Sequence, residues 1–139
     1  MSVLAVIDTN VLVSALLSHH EDAATVQVLR AAFDGRLIPL HHEDILCEYR
    51  EVLMRPKFRF SAQDVADLVG LIERIGISVE PRPTGELLAD MDDLVFYEVA
   101  MEKQAESAYL VTGNLKHYPV RKFIVTPSEM IEILKEIAG

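Results

Sequence analysis

The residues best placed to do chemistry are acids. The first, Asp8, stands directly behind the apolar run Val3-Leu4-Ala5-Val6-Ile7 and in front of Thr9 and Asn10. A short β-branched run bounded by polar residues reads as a buried strand of a parallel sheet. Asp8 then lies at the carboxyl edge of that sheet, where strands give way to helix N-termini and where ligands bind. Carboxylates brought together at such an edge suit a hard divalent cation, Mg²⁺ or Mn²⁺.

Other acids lie on segments able to reach that edge. Along Glu43 to Leu53, helical residues turn by ~100° each, so Ile45, Leu46, Tyr49, Val52 and Leu53 make one apolar stripe. Glu48 falls on the margin of the stripe, where a carboxylate either snorkels to water or points into a site. Glu43 and Glu51 project toward the polar side. The stretch "DMDDLVFYEVA" adds Asp90, Asp92 and Asp93. Aspartates gather at helix starts to cap free amides, and one of the three serves that need. Asp92 and Asp93 both project toward the Phe96 face. In "YLVTGNLKHYP" a second buried strand ends in Thr112, Gly113 and Asn114, at the same kind of edge as Asp8. Gly-Asn is also an ordinary turn dipeptide. The pairs His19-His20 and His41-His42 diverge as neighbours, so loop exposure suits them better than a zinc site.

The elements that must position these groups alternate strand and helix. Strand Val3 to Ile7 leads to helix Val11 to Leu17, then a helix from about Ala23 to Phe33 stopped by Gly35, and strand Leu37 to Leu40. Helix Glu43 to Leu53 is closed by Pro56, and Ser61 with Asp64 opens another helix that lasts to about Arg74. An edge strand at Ile77 to Val79 follows, then a helix from about Asp93 to Ala105, strands Ala108 to Thr112 and Phe123 to Val125, and a last helix from Pro127. Thr126 as N-cap, Pro127 at N1 and Glu129 form a capping box at its start. This alternation demands crossover connections and a mainly parallel sheet, an α/β fold.

At 139 residues the chain fits one domain, 1–139, able to bury roughly two-thirds of its unfolded surface. The single cysteine, Cys47, allows no internal disulfide and points to a reducing cytoplasm. No apolar stretch reaches the ~18 residues of a membrane helix, so no membrane association is expected. A net charge of −9 argues against gripping nucleic acid with the whole surface, although local basic patches still steer a polyanion. Two such clusters occur, Arg55, Lys57 and Arg59, and Lys116, Arg121 and Lys122.

Taken as a set, "VIDTNVLVSALL", "EDILCEYREVLMRPKF", "DMDDLVFYEVAMEKQAESAYLVTGNLKHYP" and "IVTPSEMIEIL" resemble the PIN domain, a nuclease fold found in many toxin-antitoxin ribonucleases. The resemblance covers nearly the whole chain. It implies a three-layer α/β/α sandwich around a mainly parallel sheet and a Mg²⁺- or Mn²⁺-dependent endoribonuclease acting on RNA. By the match of motifs, Asp8, Glu48 and Asp93 take the places of the family's acids. A fourth acidic position falls on Asn114, a departure that removes a charge and is expected to weaken activity. Thr9, Asn10 and Thr112 would orient ligands or waters from behind, with Asp90 and Asp92 as alternative acids, and Lys116 and His117 would hold substrate phosphate. The resemblance also implies self-association as a dimer and silencing by an antitoxin protein.

Two rival readings compete. An aspartate after the first strand also serves receiver and haloacid-dehalogenase-like phosphoryl-transfer domains; the first wants a lysine after a late strand, for which Lys116 is a displaced candidate, and the second an acid two residues on, where Asn10 sits. The other rival is a catalytically weak PIN-like module that binds RNA or protein, with Asn114 as its sign. A dinucleotide-binding domain is disfavoured because no G-x-G-x-x-G follows the first strand.

Overall fold

Strand β1 (Val3–Ile7) forms the centre of the fold, and a computed structural model describes residues 2–138 around it. Ala5, Val6 and Ile7 are fully buried. Successive strand side chains point to opposite faces, so burial of all three means that both faces of the sheet are covered. β1 pairs with β2 (Leu37–His41) on one side and with β4 (Tyr109–Val111) on the other. β3 (Ile77–Ser78) and β5 (Ile124–Val125) extend the two edges, giving the order β3-β2-β1-β4-β5 with every pairing parallel.

Parallel neighbours need crossovers, and helices supply them. α1 (Thr9–Leu17) and α2 (Ala24–Phe33) join β1 to β2, and α3 (Glu43–Leu53) and α4 (Ala62–Ile75) join β2 to β3. α5 (Leu94–Glu102) precedes β4, and α6 (Pro127–Ala138) follows β5. α5 packs over β1, β2 and β4, whereas α2 packs on β2 and against α1 and α6. The result is the expected three-layer α/β/α sandwich. The strand order builds outward from β1 to β3 and then jumps back across β1 to β4. That reversal opens a crevice at the carboxyl ends of β1 and β4, the place where open α/β sheets bind ligands.

Local chemistry sets the helix starts. The Asp8 carbonyl accepts from Val11 N at 3.0 Å and its side chain from Thr9 N at 2.8 Å, so α1 begins at Thr9, two residues earlier than periodicity indicates. Thr126 and Glu129 form the full reciprocal box, with Glu129 N donating to Thr126 Oγ1 at 3.1 Å and Thr126 N to Glu129 Oε1 at 2.9 Å. Ser61 caps α4 by accepting from Asp64 N.

Two expectations need correction. The helix expected from Asp93 to Ala105 is only α5, flanked by 3₁₀ turns at Met91–Asp93 and Gln104–Glu106. Asp90 Oδ1 accepts from Asp92 N at 2.9 Å and tightens the entry, while Ser107 at φ 58° breaks the exit. His41 and His42 are not loop residues either. His41 is buried on β2 with Nε2 3.1 Å from the Glu73 carbonyl, and His42 caps α3 by accepting from Asp44 N through Nδ1. His19 and His20 are exposed as expected.

Pro39 sits inside β2 without breaking the ladder. Its carbonyl faces Gly76, so its missing N–H also points to the β3 side, where pairing begins only at Leu40. A Cβ on Gly76 would collide with that carbonyl and with the Ile72 carbonyl at 2.8 Å, which makes glycine the residue that lets α4 turn into β3. No helix among the described residues is long and apolar enough to cross a membrane.

Candidate active site

Asp8 is only 4% exposed, yet each of its oxygens is served. Oδ1 accepts from Thr9 N at 2.8 Å. Oδ2 accepts from Thr112 Oγ1 and the Tyr118 hydroxyl, both at 2.9 Å, and from Asn10 Nδ2 at 3.2 Å. Burial raises the Asp8 pKa above the ordinary carboxylate value, and these hydrogen bonds with the nearby His117 only partly oppose it. Tyr118 is the partner that sequence reasoning missed. The available signal was an aromatic residue closing "NLKHY" beside a site, since a buried tyrosine hydroxyl seeks a polar partner.

The loop after β4 is locked to the start of α1. Asn10 Oδ1 accepts from Gly113 N at 2.8 Å, and Asn10 Nδ2 reaches Thr112 Oγ1 at 3.3 Å as well as Asp8. Thr112 has no exposed surface, and its hydroxyl oxygen also accepts from Asn114 N at 3.0 Å. A Cβ on Gly113 would press to 3.2 Å of Asn10 Oδ1. Thr9, Asn10 and Thr112 therefore all stand behind or beside the acids as supports.

Glu48 is delivered by its neighbour. The buried Tyr49 donates its hydroxyl to the Ile7 carbonyl and tilts against Phe96, pinning α3 to the last residue of β1. Glu48 Oε2 then accepts from Thr9 Oγ1 at 2.6 Å. Partial burial raises its pKa, the Thr9 bond resists, and Asp8, Asp92 and Asp90 add like-charge repulsion.

Asp93 closes the 3₁₀ turn before α5 and is buried. Its Oδ2 has no hydrogen bond. His117 Nδ1 lies 3.2 Å from that oxygen, a close approach whose angle is too poor for a hydrogen bond. The other ring nitrogen, Nε2, is 2.8 Å from Asn114 Nδ2. With the amide as donor Nε2 accepts, and the ring proton sits on Nδ1 facing Asp93. Burial first, then the charges of Asp8 and Asp90, push the Asp93 pKa up to about 6, with His117 opposing and Glu48 adding. Asp90 and Asp92 are exposed, Asp90 being spent on capping. Lys116 is exposed and holds none of the acids among the described residues.

The acids feel one another's charge, and the chemistry of the set suits a hard cation. Three raised carboxyl groups and one buried oxygen without a hydrogen bond are what a divalent ion would neutralise. Among the described residues, however, no three His, Cys, Asp or Glu side chains are arranged to hold one ion between them as they stand. Glu48 is turned to Thr9 and Asp93 to His117 instead. From Glu48 outward, an acidic groove of ≈ 390 Å³ runs along α3, lined by Asp44, Glu48, Glu51 and Asp92 and edged by Arg55. Of the second basic cluster, Arg121 is tied to Glu86 at 2.7 Å.

Comparison with curated proteins finds no match. Comparison with protein families matches residues 4–116 to the family described as PIN domain, a span that holds Asp8, Glu48, Asp93 and Asn114. PIN domains are generally nucleases. With its wholly parallel five-stranded sheet and its acids at the switch point, the chain belongs to the PIN domain family.

Proposed function

We propose that this PIN domain is one catalytic unit, residues 1–139, that hydrolyses RNA phosphodiester bonds with Mg²⁺ or Mn²⁺, and that it is the toxin of a toxin-antitoxin pair working in the cytoplasm. The observation that carries the reading is the buried Asp93 Oδ2, without a hydrogen bond, in a neighbourhood shared with two other raised acids, Asp8 and Glu48. Asp8, Glu48 and Asp93 would hold the cation, with the Asn114 amide oxygen at the rim. Bound there, the cation lowers the pKa of water and offsets charge that develops on a phosphodiester.

The chain's own residues prepare that chemistry. Thr112, Tyr118 and Asn10 occupy Asp8 Oδ2, so the carboxylate is fixed in orientation while Oδ1, with one hydrogen bond, keeps accepting capacity. Thr9, the residue after Asp8, holds Glu48 through its hydroxyl. His117 sets a positive or polar group between Asp93 and Asn114, and Lys116 adds an exposed cation for phosphate. The phosphoryl-transfer reading loses support because Lys116 does not reach Asp8 and Asp8 Oδ2 is saturated with donors.

The test is a paired one. Mn²⁺ should raise the melting temperature and start cleavage of labelled RNA, and a chelator should reverse both. Cleavage that continues in chelator would remove the metal from the reaction. Dimerisation and an antitoxin partner are read out separately, by scattering of the isolated protein and by inhibition of cleavage.

A further inference from the structure

Beside the acids runs a second groove of a different character. It measures ≈ 660 Å³ and has Val13, Leu17, Val52 and Phe58 as apolar walls, with Thr9 and Asn10 at one end. Those two end residues are the ones that hold Glu48 and Asp8, so the groove opens directly on the acidic site. Phe58 stands on the loop between α3 and α4 and stacks on Phe60, with ring centroids 5.7 Å apart and planes 17° from parallel. Lys57 Nζ is 5.1 Å from the Phe58 ring centre. Arg55, Lys57 and Arg59 are exposed and, among the described residues, form no ion pair with any carboxylate, unlike Arg36, Arg50, Arg82 and Arg121. Arg59 is also held in the left-handed region at φ 59°, a conformation that a non-glycine side chain adopts only under local constraint.

The geometry points to this groove as a track for single-stranded RNA, with a base of the strand lodged against Phe58 and flanking phosphates on Lys57 and Arg59. The inference deepens the ribonuclease reading and rests on it. Lys57 and Arg59, on either side of Phe58 and without an ion pair among the described residues, are a local charge complement for a polyanion on a chain of net charge −9, whereas Arg55 edges the acidic groove along α3. An aromatic platform interleaved with those cations is how proteins hold unpaired bases without reading their sequence. A duplex keeps its bases stacked inside, so the groove selects unpaired strands over helices.

The test uses a fluorescein-labelled oligoadenylate bound to the whole protein in chelator, so that the strand stays intact. Phe58→Leu, which keeps an apolar wall and loses the ring, should weaken binding by about 5- to 150-fold. That loss should vanish for an oligomer with abasic sugars in place of the bases. Lys57→Gln and Arg59→Gly leave the apolar walls alone, and glycine suits the left-handed backbone at position 59. Each should flatten the slope of log affinity against log salt by about 0.7. In Mn²⁺ the same variants should raise KM with little change in kcat. Unchanged anisotropy and unchanged salt slope would overturn the inference, and if the wild type still cleaved RNA the ribonuclease reading would survive it. Conversion of a dimer to monomer by Phe58→Leu with RNA binding intact would also overturn it, assigning the groove to a second copy of the chain. Ring-dependent binding with no cleavage in Mn²⁺ would uphold the track and defeat the ribonuclease reading.

Discussion

The Tyr118 hydroxyl donates to Asp8 Oδ2 at 2.9 Å across 110 positions of chain, joining the turn after β4 to the end of β1. The bond lowers the pKa of an acid that burial pushes up, and burial with the Asp8 charge pushes the tyrosine itself far above its ordinary value, so the phenol stays a donor. Tyr118→Phe should therefore cost about 1–2 kcal/mol of stability. It should weaken Mn²⁺ binding by about 10-fold, as losses of supporting hydrogen bonds do at metal sites. Denaturant unfolding and calorimetric titration read the two effects, and unchanged Mn²⁺ affinity would show that Tyr118 only supports the fold.

Asp93 gives the cleanest pH dependence. Its pKa is about 6 in the folded chain against 3.8 as a free side chain, so between those values the folded state binds more protons. Stability of the metal-free protein should fall as pH rises from 3.8 through 6 and stay lower above. Asp93→Asn removes that penalty and should stabilise the metal-free protein near neutral pH by about 1–3 kcal/mol, with no gain once both states are protonated. Urea midpoints of the two proteins across pH, taken in chelator, give the comparison. A gain that is largest in acid would contradict the assignment. Adding Mn²⁺ should reverse the ranking, because only the wild type then gains binding energy from this position.

Asn114→Asp restores the charge that this chain lacks at the fourth position. The new carboxylate would lie against His117 Nε2, where the amide nitrogen is now 2.8 Å away. It should tighten Mn²⁺ binding several-fold, since charge count sets affinity at hard-cation sites. Activity at limiting metal should rise with it. Equal metal affinities in calorimetry would reduce Asn114 to a turn residue.

Asp8 was legible because its signal is local: five apolar residues and then an acid mark a strand end whatever lies elsewhere. The capping box at Thr126 was legible for the same reason, since all its parts lie within four residues. Tyr118 was not, because a contact across 110 positions leaves no periodic trace. His41 was misread because neighbouring histidines look like a polar loop, and only the packing of α4 on β2 shows that the first of them faces the Glu73 carbonyl inside the fold. The helix around Asp93 ran too long in sequence because local propensity does not reveal the Asp90 cap or the left-handed Ser107. Glu48 was placed on a margin by periodicity, yet its direction comes from Tyr49 locking α3 to Ile7. The surroundings of each acid were thus decided by tertiary contacts, while their identities came from motif.

The central claim is that Asp8, Glu48 and Asp93 hold a divalent cation for RNA hydrolysis. The most direct measurement is cleavage of a labelled unstructured RNA in Mn²⁺ by the wild type beside Asp8→Asn, with the melting temperature of each in chelator. Asparagine keeps the size of the side chain but sets an NH₂ against either Thr9 N or the Thr112 and Tyr118 hydroxyls, so the metal-free fold should persist with a melting temperature a few degrees lower. Cleavage should fall by about 100-fold or more, in line with losing a directly acting group at a charged site. Cleavage by Asp8→Asn at the wild-type rate, with the fold intact, would contradict the account.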